Sequence, residues 1–435
     1  PRDGAPNVVI VYMDDMGWSD IGCYGSEIDT PNIDRLAARG IRFNSHTTSP
    51  LCSPARASLL TGRNSHAAST GWLANNFGGF PGYSGEIPLE SPTLPETLRE
   101  AGYATMMVGK WHNSPNGVLP NASWPTARGF DRFYGFLEGE TSYFHPARLM
   151  YNNIVAPIDD YPEDYYATDD WMDKAIGFVT DLRNHDPALP FFLYVSNTAV
   201  HGPLQAPEAY LEKHRGRFDE GWDVLRARRL ERQIELGLVP PDTRLAARDP
   251  RVPEWDDLPE DERKLFLRYY EAYAAVLDAA DHNVGRLMEH LELMGELDNT
   301  LFIFSSDNGG SGSAGPSGMV NFNRQYAGLR PLPIEDEIAR AALIGGDRVT
   351  PLHPMGWGQV SNAPFPSYKT YTGAGGRRVS MIVSWPERFQ DFGSIRTQFT
   401  HVTDLMPTIA ELTGVNLLEV SHGQPAEKPH GESFA

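Results

Sequence analysis

Four apolar runs, each joined to a helix-forming segment and each ending abruptly in acids, amides, histidine or lysine, constrain the fold of this 435-residue chain more than any other feature. Asn7-Val8-Val9-Ile10-Val11-Tyr12-Met13 is a continuous, largely β-branched run, as expected of a strand buried on both faces, and it ends in Asp14-Asp15. A helix is expected over Thr30 to Gly40, with Thr30 or Asn32 able to cap it and Gly40 able to end it. Leu94 to Ala101 reads as a helix stopped by Gly102, leading into the strand Tyr103 to Val108 and then Gly109-Lys110-Trp111-His112. The helix Asp169 to Asn184 leads into Phe191 to Val195 and on to His201-Gly202-Pro203. The long amphipathic helix Glu260 to Met294 leads into Thr300 to Ser306, which ends in Asp307-Asn308. Such alternation predicts an α/β fold with a large, mostly parallel (mixed) central sheet flanked by helices on both faces. Ligands of open α/β sheets bind beyond the carboxyl ends of the strands, so the four polar termini are expected to meet in one site.

Composition narrows what that site can serve. With 40% hydrophobic residues the chain can bury a substantial core, and its length suits one large domain with a smaller appendage. No apolar run reaches eighteen residues, so no membrane span is expected. A net charge of −20 argues against nucleic acid as a partner. An anionic substrate would need a local patch of cations or a metal. Two cysteines cannot form a disulfide framework, and Cys23 reads as a small apolar filler. The chain starts at Pro1 and shows no basic, apolar leader, so a signal peptide is expected to be either absent or already removed, and the compartment stays open. Arg215 to Pro259, charged and interrupted by prolines, reads as a peripheral excursion. Gly309 to Gly318 reads as a mobile loop at the mouth of the site. Asn321 to Ser367, with Tyr326, His353 and Trp357, is expected to shape the pocket, its aromatics suiting an aryl group or a stacked sugar.

The polar termini carry two kinds of chemistry. Asp14-Asp15 and Asp307-Asn308 offer oxygen donors only, and such hard sites select calcium, or magnesium, over zinc. Lys110, His112, His201 and Lys369 are candidate cations and proton carriers. Cys52 and Arg56 lie one helical turn apart and so face the same side. If Cys52 opens its helix, free backbone N–H groups there favour an anion.

Cys52 stands in L-C-S-P-A-R-A-S-L-L-T-G-R. This resembles the type I sulfatase signature C-x-P-x-R, whose cysteine is oxidised after translation to formylglycine. Alone, that pattern arises by chance in about one chain in a hundred of this length. The chain also shows P-N-V-V-I-V-Y-M-D-D-M-G-W-S-D, T-P-N-I-D-R-L-A-A-R-G, G-K-W-H, H-G-P-L-Q-A-P, S-D-N-G and Y-K-T-Y-T-G-A-G-G-R-R-V. Their order is that of arylsulfatases of the alkaline phosphatase superfamily, and the resemblance, strongest to the bacterial branch, runs from about Pro6 to the C-terminus.

The resemblance implies an alkaline-phosphatase-like fold and the hydrolysis of a small-molecule sulfate ester. It also implies a formylglycine-generating enzyme as a maturation partner. Asp14, Asp15, Asp307 and Asn308 match the family's calcium ligands, with modified Cys52 completing the shell. Arg56 matches the group that steadies the formylglycine hydroxyl, and Lys110 the group that touches both that hydroxyl and the sulfate. His112 matches the base that collapses the hemiacetal sulfate, and His201 and Lys369 the groups beside the leaving oxygen. The implied mechanism is covalent catalysis by an aldehyde hydrate: one hydroxyl attacks sulfur, the second later expels sulfate, and water rehydrates the aldehyde.

The family's smaller C-terminal subdomain normally runs further than this chain does. Residues 1–415 are therefore expected to form the catalytic domain, and 416–435 a remnant or start of that subdomain. Two other readings compete: a phosphonate monoester or phosphodiester hydrolase of the same superfamily, and a non-catalytic calcium-dependent binding protein on this scaffold. Asn308 disfavours the first, since those relatives tend to carry histidine there. The full set of polar residues disfavours the second.

Overall fold

The structure is a computed structural model and describes residues 4–76, 78–115, 117–158 and 160–435. Among the described residues a ten-stranded sheet runs, in spatial order, through 394–396, 41–43, 381–384, 300–306, 7–13, 191–196, 104–110, 132–136, 150–151 and 154–155. The five long strands from 300–306 to 132–136 are mutually parallel, and Met381–Ser384 joins them antiparallel, which makes the sheet mixed. Asn7–Met13 lies in its middle, paired on both edges.

That strand shows why the run is apolar throughout. Val9, Val11 and Met13 enter one core, with the helices Pro31–Ala38, Ala167–His185 and Glu260–Leu293. Val8, Ile10 and Tyr12 enter the other, with Cys52–Thr61, Leu94–Glu100 and Leu405–Thr413. Side chains alternate across a strand, so a strand covered on both faces has no polar position to spare. The α/β sandwich expected from the sequence is present.

Several local expectations shift. Pro31–Ala38 starts after Thr30 as read, yet neither Thr30 nor Asn32 caps it through its own side chain. The cap comes from Asp281 on the long helix, whose carboxylate accepts the backbone N–H groups of Asn32 and Ile33 at 3.1 and 2.8 Å. A partner 249 residues away cannot be read from local sequence.

The excursion is not peripheral either. Its helix Gly221–Glu235 buries Trp222 against Trp255, Trp357 and Phe266, and sends Arg229 inward to Asp20 and Glu27 at 2.8 Å each. Charge and prolines on the outer face masked an inner face of aromatic and paired polar groups.

The last residues are stitched to the body. The backbone N–H groups of His430 and Gly431 donate to Gly62, and Phe434 packs edge-on against Phe43 with ring centres 5.4 Å apart. Among the described residues no helix is long and apolar enough to cross a membrane.

Candidate active site

The Cys52–Thr61 helix points its amino end at the carboxyl ends of the central strands, with Cys52 its first residue. Proline at its third position suits a first turn, where a missing N–H costs nothing. The Cys52 Sγ and carboxylate oxygens of Asp14 and Asp307 lie within 4.8 Å of one another. One turn on, Arg56 donates to Asp307 at 2.7 Å and approaches Asp14 at 3.8 Å, while also reaching Ser196. The shared helix face expected for Cys52 and Arg56 is present.

Lys110, at the end of its strand, donates to Asp14 at 2.5 Å. Lys369 pairs with Asp15 at 2.8 Å, and His201 Nε2 lies 3.7 Å from the same carboxylate. Asn308 donates to Asp15 at 2.7 Å. His112 faces Asn75, with 3.3 Å between Nε2 and Oδ1, and its ring lies against the backbone of Gly139. All ten residues singled out in the sequence therefore gather at one end of the sheet.

Backbone geometry helps to aim them. Asp15 and His112 adopt positive φ, 60° and 53°, as do Ser367 and Thr370 flanking Lys369. Such conformations are uncommon outside glycine and collect at functional sites. Gly309 has a different task. A Cβ there would meet the Gly375 carbonyl oxygen at 1.8 Å, and the next residue accepts the Lys369 N–H at 3.1 Å. The segment expected to be a mobile loop thus starts as a packed bed under Lys369, with Gly309, Gly310 and Ser311 buried.

Burial and charge set the protonation of the site. Burial pushes the Cys52 thiol up to about 11 against the pull of Lys110 and Lys369. Unmodified, it would be a neutral thiol at physiological pH and a weak nucleophile. Burial, with Lys369 beside it, pushes His201 down to about 3, and burial with Lys110 and Arg56 holds His112 well below its usual range. Both imidazoles are neutral. Lys369 stays charged because Asp15 outweighs the cost of its burial. Asp307 rises to about 6 through burial and the neighbouring Asp14.

These residues also fit a metal ion. Asp14 Oδ1 and Asn308 Oδ1 are buried without a hydrogen-bond partner, and such atoms need one. The donors are chiefly carboxylate and amide oxygens, the set preferred by hard divalent cations. Asp14, Asp15 and Asp307 balance Arg56, Lys110 and Lys369 in charge. A bound divalent ion would leave the pocket positive inside an acidic protein, resolving how a chain of net charge −20 can receive an anion.

A family model described as Sulfatase matches residues 6–415. The chain belongs to the sulfatase family. It is similar to an uncharacterised sulfatase of Schizosaccharomyces pombe, 36% identical over 431 residues covering 94% of this chain and 75% of the relative. It is likewise similar to an arylsulfatase of Klebsiella aerogenes, 31% identical over 430 residues covering 94% and 87%. The solved structure of Ps i-CgsB in complex with k-i-k-neocarrahexaose superposes with a TM-score of 0.65 at 25% identity, covering 99% of this chain and 78% of that one. The protein is thus a sulfuric ester hydrolase of the alkaline phosphatase superfamily, and the phosphonate or phosphodiester alternative is not favoured.

Sequence reasoning missed several residues of this sulfatase site. Ser196 ends the strand Phe191–Ser196 and bridges Arg56 to the Lys110 carbonyl. The strand-end rule that found Lys110 would have found it, had that strand been read one residue further. Thr48 donates to the Asp307 carbonyl at 3.0 Å, and Asn75 and Glu140 come from loops with no distinguishing pattern. Burial pushes Glu140 up to about 7 against the pull of Lys110 and Lys369. Two pocket candidates move the other way. Trp357 is fully buried and donates to the Phe266 carbonyl, and His353 packs edge-on against Tyr273, so both serve the core. Tyr326 stays 71% exposed.

Proposed function

We propose that the protein hydrolyses sulfate monoesters of alcohols or phenols at a site centred on residue 52, the cysteine having been oxidised by a formylglycine-generating enzyme. The observation that carries this reading is the convergence of the Cys52 Sγ, two carboxylates and the side chains of Arg56 and Lys110 at a helix amino end. As formylglycine, residue 52 supplies a hydrated aldehyde with one hydroxyl to attack sulfur and another to release sulfate. A calcium ion held by Asp14, Asp15, Asp307, Asn308 and residue 52 supplies positive charge that favours an ionised hydroxyl and neutralises the sulfate; magnesium fits the same oxygens less well, because it demands a stricter octahedron.

The chain's own residues do the rest. Arg56, fixed by Asp307 and Ser196, holds the residue 52 hydroxyl in place. Lys110 is placed to touch both that hydroxyl and a sulfate oxygen. Lys369, kept cationic by Asp15, donates a proton to the alcohol oxygen as the sulfur–oxygen bond breaks, with His201 beside it. His201 is neutral, so Lys369 is the stronger candidate for that step. His112, also neutral, can accept the proton of the second hydroxyl. Residues 1–415 form the catalytic domain in this reading, with 416–435 belonging to the smaller C-terminal subdomain.

Metal removal tests the reading. Exhaustive chelation is expected to lower turnover of an aryl sulfate at least about tenfold, with calcium restoring more activity than zinc because the donors are oxygens. Turnover unchanged after chelation, or restored best by zinc, would overturn the calcium assignment.

A further inference from the structure

The loop that follows the strand Arg132–Phe136 threads between the two histidines of the site. Gly139 lies against the His112 ring so closely that a Cβ there would sit 2.9 Å from it. Four residues on, the Tyr143 hydroxyl donates to the His201 carbonyl at 3.1 Å, and Ser142 and the Tyr143 N–H donate to Gln205 at 3.0 Å each. Glu140 falls between these anchors and is half-buried. Its carboxylate accepts the hydroxyl of Tyr326, a largely exposed residue, at 3.4 Å. The cations in its electrostatic range, Lys110 and Lys369, are already paired with Asp14 and Asp15. Tyr326 in turn is in electrostatic range of Lys369, Cys52 and Asp15, which puts both residues at the mouth of the pocket. A carboxylate accepts about four hydrogen bonds, so the Tyr326 contact leaves most of its capacity free.

In the sulfate-ester reading the alcohol leaves on the side of Lys369 and His201, and the loop that carries Glu140 is tied to the His201 carbonyl through Tyr143. From this placement, and resting on the sulfate-ester reading above, we propose that Glu140, steadied by Tyr326, accepts a hydrogen bond from a hydroxyl of the leaving group. The preferred substrates are then sulfate esters of neutral, hydroxylated compounds. Above neutral pH, where Glu140 is ionised, a leaving group with a second anionic substituent near the ester is disfavoured, because its charge would face that half-buried carboxylate. Hydrogen bonding adds to the discrimination: an analogue lacking the donor leaves a half-buried acceptor unpaired.

The test uses the formylglycine-containing, calcium-loaded enzyme and three aryl esters: phenyl sulfate, 3-(hydroxymethyl)phenyl sulfate and 3-carboxyphenyl sulfate, with released sulfate as the readout. The wild type is expected to favour the hydroxymethyl ester over the carboxy ester by at least about tenfold in kcat/KM. Glu140→Gln should compress that ratio to within about threefold, mainly through a lower KM for the carboxy ester. Differences in leaving-group reactivity cancel between the two proteins. Tyr326→Phe, which ends the short helix Asn323–Tyr326 and keeps the ring that packs on Phe322, should leave the fold intact and compress the ratio partly. A wild-type ratio near one, or a ratio unchanged in Glu140→Gln, overturns the proposal. Failure of the wild type on all three esters, phenyl sulfate included, overturns the sulfate-ester reading itself and this proposal with it.

Discussion

Replacing Cys52 by alanine is expected to reduce turnover of an aryl sulfate to background, a loss on the order of 10⁴-fold or more, as found when a covalent nucleophile is deleted. The effect follows from the position of the side chain. Cys52 alone among the site residues presents an atom at the helix amino end between Asp14 and Asp307, and alanine leaves nothing there to attack sulfur. The other groups would still bind the ester, because Arg56, Lys110 and Lys369 keep their carboxylate partners. Substrate or sulfate should therefore still bind, and only kcat should collapse. The fold should survive, since one small buried side chain is lost at a cost of about 1 kcal/mol. Steady-state assays and thermal unfolding of the two proteins check both halves. Substantial turnover by the alanine variant would contradict the mechanism.

Arg229→Met should have the largest effect on stability. Arg229 is wholly buried and binds Asp20 at 2.8 Å, both oxygens of Glu27, the Ser26 hydroxyl and the Tyr270 hydroxyl. Removing one partner of a buried ion pair strands the other, at about 3–5 kcal/mol. Asp20 also accepts the Gly17 N–H and the Tyr273 hydroxyl, so the whole turn that leaves Asp14-Asp15 hangs on this network. The variant should show a lower unfolding midpoint and need more calcium for half-maximal activity. Arg229→Lys, which keeps the charge but not the forked geometry, should fall between. An unaltered midpoint in Arg229→Met would contradict the structural role given to this buried network.

That contrast shows what was legible in the chain. Strand runs such as Asn7–Met13 and Thr300–Ser306 could be read because burial on both faces leaves a continuous apolar signature, and their polar ends marked the site. Cys52 and Arg56 were legible because helical spacing relates them directly. What stayed hidden depends on partners distant in sequence. Asp281 caps a helix 249 residues away, Arg229 reaches 209 residues back to Asp20, and Trp357 turns into a core formed by the excursion rather than into the pocket. Glu140 was equally hidden, since an acid in a glycine-containing loop looks like ordinary solvated surface until Tyr326 and the cations Lys110 and Lys369 are seen near it.

The central claim is that residue 52 works as an aldehyde and not as a thiol, and the intact mass of the peptide spanning Leu51 to Arg56 in catalytically active protein tests it most directly. The account predicts a peptide lighter by the difference between a CH₂SH and a CHO side chain, with activity across preparations proportional to the converted fraction. A fully active preparation whose peptide carries unmodified cysteine would contradict it.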